Sequence, residues 1–218
     1  MGTFVSVKKD FASADLVGVE NLHDTKILIL PQKDYICVMR IGLISDTHGV
    51  FAPDVKAFLE PVDQIWHAGD FGTLACASTI EAFKPLIGVH GNCDGLDVRQ
   101  IYPRYQRFEC EGLRILMTHI GLRRGSYWAY DTKRPLYDID AKYLIDMCHP
   151  DIFICGHTHI PQVFRDDRQD FLFMNPGACG YQGSRDVPRM ALRFEINDGK
   201  ISNLEKCEFT WPESRLSF

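Results

Sequence analysis

The sequence predicts an α/β (α+β) fold, a four-layer α-β-β-α sandwich in which two mixed sheets pack face to face and are flanked by helices. Three observations carry this. From Arg40 the hydrophobic pattern runs strand, helix, strand, helix, strand, the order that produces parallel strands with helices packed over them. From Gln106 onward the character changes to antiparallel strands joined by hairpins. Near the C-terminus Met190, Leu192, Phe194 and Ile196 alternate with polar or small residues, as in a strand with one face in a core. No Gly/Ser- or Pro-rich linker and no internal repeat divides these elements, so they belong to one domain.

Taken in order, residues 1–38 hold strand-like pieces, Phe4 to Val7 and Ile27 to Leu30, the second stopped by Pro31, but no motif. They are expected to be a loosely attached, dispensable extension, with the domain proper spanning residues 39–218. Ile41, Leu43 and Ile44, with Gly42, form an unbroken apolar run, the mark of a strand covered on both faces. Pro53 suits the first turn of a helix reaching about Glu60. Gln64 to His67 is a short strand, Thr73 to Phe83 a helix, and Leu86 to His90 a strand. Gln106 to Cys110 and Arg114 to Thr118 make a hairpin through Glu111-Gly112. The polar and aromatic stretch Gly121 to Pro135 is too long for a simple connection and reads as a lid or binding segment. Leu136 to Cys148 reads as helix and Ile152 to Cys155 as strand. Gln162 to Arg165 pairs with Phe171 to Met174 as a hairpin, and Asp198-Gly199 turns the last alternating strand into Lys200 to Leu204.

Composition narrows the function classes. The 218 residues are 45% hydrophobic and 24% charged, as in an ordinary globular protein. A formal charge of -5 argues against a nucleic-acid-coating or membrane-surface role, so no stable nucleic-acid binding and no membrane partner is expected, while oligomeric assembly is left open. The 8 cysteines are scattered without a CxxC pair, several inside apolar runs, which fits reduced core thiols. With no apolar signal core in the N-terminal residues and no run approaching a membrane span, a cytoplasmic location is expected.

Five motifs carry the chemistry: Asp46-x-His48, Gly69-Asp70, Gly91-Asn92-Cys93-Asp94, Thr118-His119 and Gly156-His157-Thr158-His159. Each ends a predicted strand, so independent strands deliver these side chains to the carboxyl edge, where ligands bind in open α/β sheets. Any one of them is weak evidence, since a loop carboxylate commonly does no more than cap the next helix. Five together are not accidental. Carboxylate, amide oxygen and imidazole suit borderline divalent metals such as Mn, Fe, Ni or Zn. A shared Asp can hold two ions roughly 3.5–4 Å apart, the spacing that clamps both sides of a phosphoryl transfer.

This ordered set resembles the calcineurin-like metallophosphoesterase superfamily over about Met39 to Leu204, closest to the small bacterial and archaeal YfcE-type phosphodiesterases. The resemblance implies two divalent metal ions, manganese foremost. Asp46, His48 and His159 would hold the first, Asn92, His119 and His157 the second, and Asp70 would bridge them. It makes Asp70, Asn92 and His119 the catalytic set, implies a metal-assisted attack of hydroxide on a small phosphodiester, and gives Asn175-Pro176-Gly177 a supporting role. Two positions depart from the pattern: Cys93 stands where many relatives carry a His thought to act as general acid, and Ile120 precedes Gly121 where the Gly commonly follows the His directly. Good leaving groups and diesters are therefore the expected substrates.

Beside this set, Cys93 and Arg124 are the expected substrate contacts, with Arg99 and Arg123 weaker candidates because each alone reads as a surface Arg. Tyr127, Trp128 and Tyr130 suit stacking on a base or aryl group as well as packing of the lid. His67, just ahead of Asp70, is a candidate for orienting a ligand, whereas His23, His90 and His149 have no motif role. The rival reading is a metal-free interaction scaffold on the same fold, as in the retromer subunit that resembles this superfamily. That scaffold lacks several of the ligand residues, and every one of those positions is filled here.

Overall fold

Three of the longest uninterrupted apolar runs in the chain end up as central strands, and the architecture follows from what must cover them. The computed structural model describes residues 38–123, 136–184 and 186–212. In chain order the elements are β1 (Met39–Ile44), α1 (Pro53–Leu59), β2 (Gln64–His67), α2 (Leu74–Phe83), β3 (Leu86–Gly88), α3 (Leu96–Ile101), β4 (Tyr105–Cys110) and β5 (Leu113–Thr118). There follow α4 (Ile139–Cys148), β6 (Ile152–Ile154), β7 (Gln162–Asp166), β8 (Phe171–Asn175), β9 (Arg189–Asn197) and β10 (Lys200–Phe209). Of the extension expected at residues 1–38 only Val38, and of the stretch Gly121 to Pro135 only its first three residues, belong to the described residues; both expectations otherwise lie outside them.

One sheet has the order β10-β9-β1-β2-β3 and the other β4-β5-β6-β8-β7. In the first, β1, β2 and β3 run parallel, with Ile41 opposite Gln64 and Ile65 opposite Leu86, and β9 joins β1 antiparallel. The second is mixed as well, as expected, although its strands are less antiparallel than the hairpin signals alone suggest. β5, β6 and β8 are parallel, and only β4 and β7 are antiparallel at the edges. The physical reason is connection length: the segment carrying α4 is long enough for a crossover from β5 to β6, and the β7-β8 hairpin returns β8 to the neighbouring slot. Helix α3 is a short element that the sequence pattern does not announce, and α4 starts at Ile139, after its N-cap Asp138, rather than at Leu136.

Side-chain alternation builds the layers. Ile41, Leu43 and Trp66 of the first sheet meet Ile115, Met117, Ile152, Ile154 and Met174 of the second, together with Leu192, Phe194 and Ile196. The opposite face of the first sheet, through Ile44 and Ile65, packs on Val55 and Leu59 of α1, Ala77 and Ile80 of α2, and Val98 of α3. The outer face of the second sheet, Leu116, Phe153, Phe171 and Phe173, is covered by Ala141 and Ile145 of α4. The four layers are thus α, β, β, α, and the carboxyl ends of both parallel strand sets open at the same end of the sandwich. Backbone bonds tie those ends together: Gly156 N to His119 O at 3.0 Å within the second sheet, and from the loop after β8 to the loop after β1, Cys179 N to Ser45 O at 3.1 Å and Gly180 N to Asp46 O at 3.2 Å.

Candidate metal centre

The loops leaving β1, β2, β5 and β6 bring together side chains from four of the five motifs, and they do so in an uncommon backbone state. Asp46, His48, Asp70, His157 and His159 all have left-handed φ, between 46° and 68°. Such values cost L-residues about 1–2 kcal/mol each and persist only where the surroundings impose them. Here the imposing groups are hydrogen bonds between the loops: Asp46 N to Gly69 O at 2.9 Å and His48 N to Asp70 O at 3.0 Å. Two glycines make room for the approach. A Cβ at Gly91 would stand 2.0 Å from Asp70 Oδ1, and one at Gly156 would stand 2.0 Å from Ser45 Oγ and 2.9 Å from Asp46 Oδ2.

Asp46 is fully buried. Its Oδ2 accepts from Ser45 Oγ at 2.6 Å and from His157 N at 3.1 Å. Its Oδ1 has no hydrogen-bond partner, yet stands 3.2 Å from His159 Nε2, 3.8 Å from His48 Nε2 and 3.9 Å from His119 Nε2. The Nε2 atoms of His48 and His159 face one another at 3.3 Å. Asp70 Oδ1 accepts from Cys93 N at 2.8 Å, and its Oδ2 lies 3.2 Å from His119 Nε2 and 4.0 Å from His48 Nε2. His119 is 2% exposed, with Nδ1 bonded to Ala68 O at 2.8 Å and Nε2 without a partner. That backbone bond makes Nδ1 the donor and turns Nε2 inward, the orientation in which an imidazole ligates.

Burying Asp46 Oδ1 and His119 Nε2 unpartnered costs free energy that a cation between them would offset. The donors fit such an ion in overlapping groups, among them Asp46 with His48 and His159, and Asp46 with Asp70 and His119, each with its ligand atoms within 4.8 Å of one another. His157 contributes its backbone bond to Asp46 and sets its ring edge-on to that of His119 at 5.2 Å. Asn92 is exposed; it donates to Cys93 Sγ at 3.2 Å and shares with His119, His90, Arg99 and Arg104 the lining of a cavity of about 280 Å³. The structure thus brings Asp46, His48, Asp70, His119, His157 and His159 into one cluster and places Asn92 beside it. Arg124 lies outside the described residues.

The electrostatics are those of a cation site. Burial works to raise the Asp46 pKa, but His119 and His159 outweigh it and hold the carboxyl below its ordinary range. Burial also opposes ionisation of Asp70, which His119 and the Cys93 amide nonetheless keep well below the usual carboxylate range. Burial alone would lower His119, and the Asp46 and Asp70 carboxylates push it up to about 9. His48 and His157 are pushed down by burial and stay neutral at pH 7. Burial together with the Asp70 carboxylate raises the exposed Cys93 thiol to about 11.

Around the cluster stands a ring of supports. Asp94 accepts from Gly72 N and Gly91 N, both at 2.7 Å, and so shapes the Gly-Asn-Cys-Asp turn. Arg99 caps the same turn on Asp94 O at 2.8 Å and Asn92 O at 3.0 Å, a backbone role rather than a free cation for substrate. Asn175 donates to Gly156 O and Thr158 Oγ1, each at 3.0 Å, bracing the His157 loop. His67 accepts from Gly69 N at 3.1 Å through Nδ1 and meets Thr47 Oγ1 at 3.0 Å through Nε2, stacked on Phe71. Burial drives its pKa down to about 3, so it is a neutral strut between the Asp46 and Asp70 loops rather than a ligand. Ser45 escapes the motif reading. The one signal for it is a hydroxyl placed directly after the last apolar residue of β1, where only a polar partner can satisfy it.

The family model described as the calcineurin-like phosphoesterase superfamily domain matches residues 39–199. No curated protein is matched by the chain. Among solved structures it is similar to a conserved protein of Streptococcus pneumoniae described as a predicted phosphoesterase, at 21% identity over 78% of this chain and 90% of that one, TM-score 0.55. It is similar to an archaeal phosphodiesterase at 22% identity over 78% of this chain and 100% of that one, TM-score 0.58. It is also similar to a zinc complex of Vps29 from Entamoeba histolytica, at 18% identity over 79% of this chain and 100% of that one, TM-score 0.53. At these identities the likeness to solved structures speaks for the fold alone.

Proposed function

Because the chain belongs to the calcineurin-like phosphoesterase superfamily, we propose that it is a dinuclear metal-dependent phosphodiesterase acting on small phosphodiesters in the cytoplasm. The observation that carries this is the pair of buried ligand atoms without a hydrogen bond, Asp46 Oδ1 and His119 Nε2, 3.9 Å apart, with Asp70 Oδ2 3.2 Å from the imidazole. Asp46, His48 and His159 would hold one cation, Asn92, His119 and His157 the other, with Asp70 shared; manganese, iron, nickel and zinc suit such donors. When bound, the ions supply an acidified water as nucleophile and offset the charge that develops on phosphorus.

The protein's own residues do the rest. Two carboxylates facing the centre limit its net positive charge, which favours a singly charged diester over a dianionic monoester. The Ala68 carbonyl holds His119 in one tautomer, and Ser45 and the His157 amide fix the Asp46 carboxylate so that its second oxygen faces the ions. The Cys93 thiol, raised to about 11, is a poor proton donor to an alkoxide near pH 7 compared with an imidazole. Esters with good leaving groups are therefore favoured. Buried unbridged thiols at Cys76, Cys155 and Cys179 support a reducing compartment.

The test compares metal content and turnover of bis(p-nitrophenyl) phosphate and p-nitrophenyl phosphate in wild type and Asp70→Asn. Wild type is expected to carry two ions per chain and prefer the diester, and the variant to lose both. Since a Vps29 structure holds zinc, metal without any turnover would favour the scaffold reading. Equal or faster monoester hydrolysis would refute the diesterase assignment.

A further inference from the structure

The residue after Asn92 is a cysteine, and the structure sets its sulfur inside the cluster. Cys93 Sγ, a ring nitrogen of His48 and a carboxylate oxygen of Asp70 all lie within 4.8 Å of one another. Sulfur and nitrogen ligands of one tetrahedral zinc stand about 3.6 Å apart at ordinary Zn–S and Zn–N lengths. His48 Nε2 and Asp70 Oδ2 are already 4.0 Å apart, so the three atoms close round an ion with shifts on the order of 1 Å. The placement is fixed by the backbone: Cys93 N–H donates to Asp70 Oδ1 at 2.8 Å, and Asp94 pins the turn through Gly91 N at 2.7 Å. The thiol is exposed, on the solvent side of the centre. On the buried side the same Asp70 carboxylate faces two donors that point inward without partners, Asp46 Oδ1 and His119 Nε2, in residues 0% and 2% exposed. The sulfur thus completes a donor set that already aims at a cation.

We propose that Cys93 is itself a metal ligand: on loading, its S–H proton leaves to solvent, a sulfur–metal bond forms to the ion shared by His48 and Asp70, and the centre favours thiophilic ions over manganese or magnesium. The charge balances, because the proton released leaves a thiolate whose negative charge offsets one of the two positive charges of the ion. Thiolate selects softer ions, whereas carboxylate and water suit manganese and magnesium. The inference rests on reading Asp46, His48, Asp70 and His119 as metal ligands, and it narrows which ion they take.

The experiment titrates the full-length, metal-stripped protein with Co(II), Zn(II) and Mn(II) in three forms: wild type, Cys93→Ser and Cys207→Ser. Cobalt binding is expected to produce a near-ultraviolet sulfur-to-cobalt charge-transfer band in wild type and Cys207→Ser and not in Cys93→Ser. Zinc affinity should fall about tenfold or more in Cys93→Ser, while manganese affinity changes far less. Cobalt bound without that band, a band that survives in Cys93→Ser, or an unchanged ratio of zinc to manganese affinity would each overturn this inference alone. Failure of wild type to bind any of the three ions would overturn it together with the metal reading it rests on.

Discussion

Gly156→Ala offers the sharpest test of how the two sheets assemble the centre. The added Cβ would stand 2.0 Å from Ser45 Oγ, 2.9 Å from Asp46 Oδ2 and 3.0 Å from Ala68 O. Carbon and oxygen rest at roughly 3.3–3.6 Å, so the nearest gap is short by more than an ångström. Ser45 cannot turn aside without breaking its 2.6 Å bond to Asp46 Oδ2. The loop must retreat instead, which breaks the 3.1 Å bond from His157 N to Asp46 Oδ2. Overpacking costs about 1–3 kcal/mol and the lost bond about 1 kcal/mol more. For a chain of this size that lowers Tm by roughly 5–15 °C. Metal affinity should fall at least about tenfold, the scale seen when supporting contacts of metal ligands are lost. The assay is thermal unfolding with and without zinc or manganese. A saturating ion adds about 2.7 kcal/mol at a hundredfold excess over Kd, and a tenfold weaker site would keep only about 1.4 kcal/mol of it, so the variant should lose about half of that upshift or more. Ser45→Ala combined with Gly156→Ala removes the closest clash and should recover part of both losses. A Gly156→Ala protein that melts within about 2 °C of wild type and binds metal equally well would refute the reasoning.

Three further outcomes are expected. A chain beginning at Met39 should fold, bind metal and turn over like the full-length protein, because β1 has both neighbours, β2 and β9, among the described residues; an insoluble or inactive product, judged by circular dichroism and turnover, would make the extension integral. Arg189, 1% exposed, donates to Cys179 O, Gly180 O, Thr210 O and the Asp54 carboxylate. Arg189→Met leaves those carbonyls unpaired at a cost of about 2–4 kcal/mol, a fall in Tm on the order of 10 °C measured by calorimetry, and a change under a third of that would count against the role. His67 binds its proton far more weakly folded, near pKa 3, than at its ordinary 6.5. Its contribution is fully present above pH 6.5 and is lost as pH falls from there toward 3, because the unfolded chain then binds the extra proton. Between pH 7.5 and 5 this removes about 2 kcal/mol; urea unfolding of metal-free His67→Gln should show a shallower pH slope, and an identical slope would exclude His67 as a source.

Much of the site is legible in the sequence because ligands at strand ends leave a local trace. An apolar run stops, a glycine or small residue follows, and Asp46, Asp70, His119 or His157 comes next. Strand identity is equally local, since alternation at Met190 to Ile196 or the unbroken run at Ile41 to Ile44 depends only on which faces are covered. Neighbours are not local. Nothing in Ile152–Ile154 says that β5 and β8 flank it in parallel, and nothing in β9 says that it lies between β10 and β1. Those pairings depend on the length of the crossover and on which apolar faces remain to be covered once the helices have docked. The same holds for the ties that need two distant segments at contact distance: His67 on Thr47, Arg189 on the Cys179 and Gly180 carbonyls, and Cys93 beside His48 and Asp70. The sequence by itself determined which residue types arrive at the carboxyl edge. Only the tertiary structure decided which of their atoms are left unpartnered there, because desolvation and hydrogen bonding are set by whatever packs across the sheets and not by the order of residues along the chain.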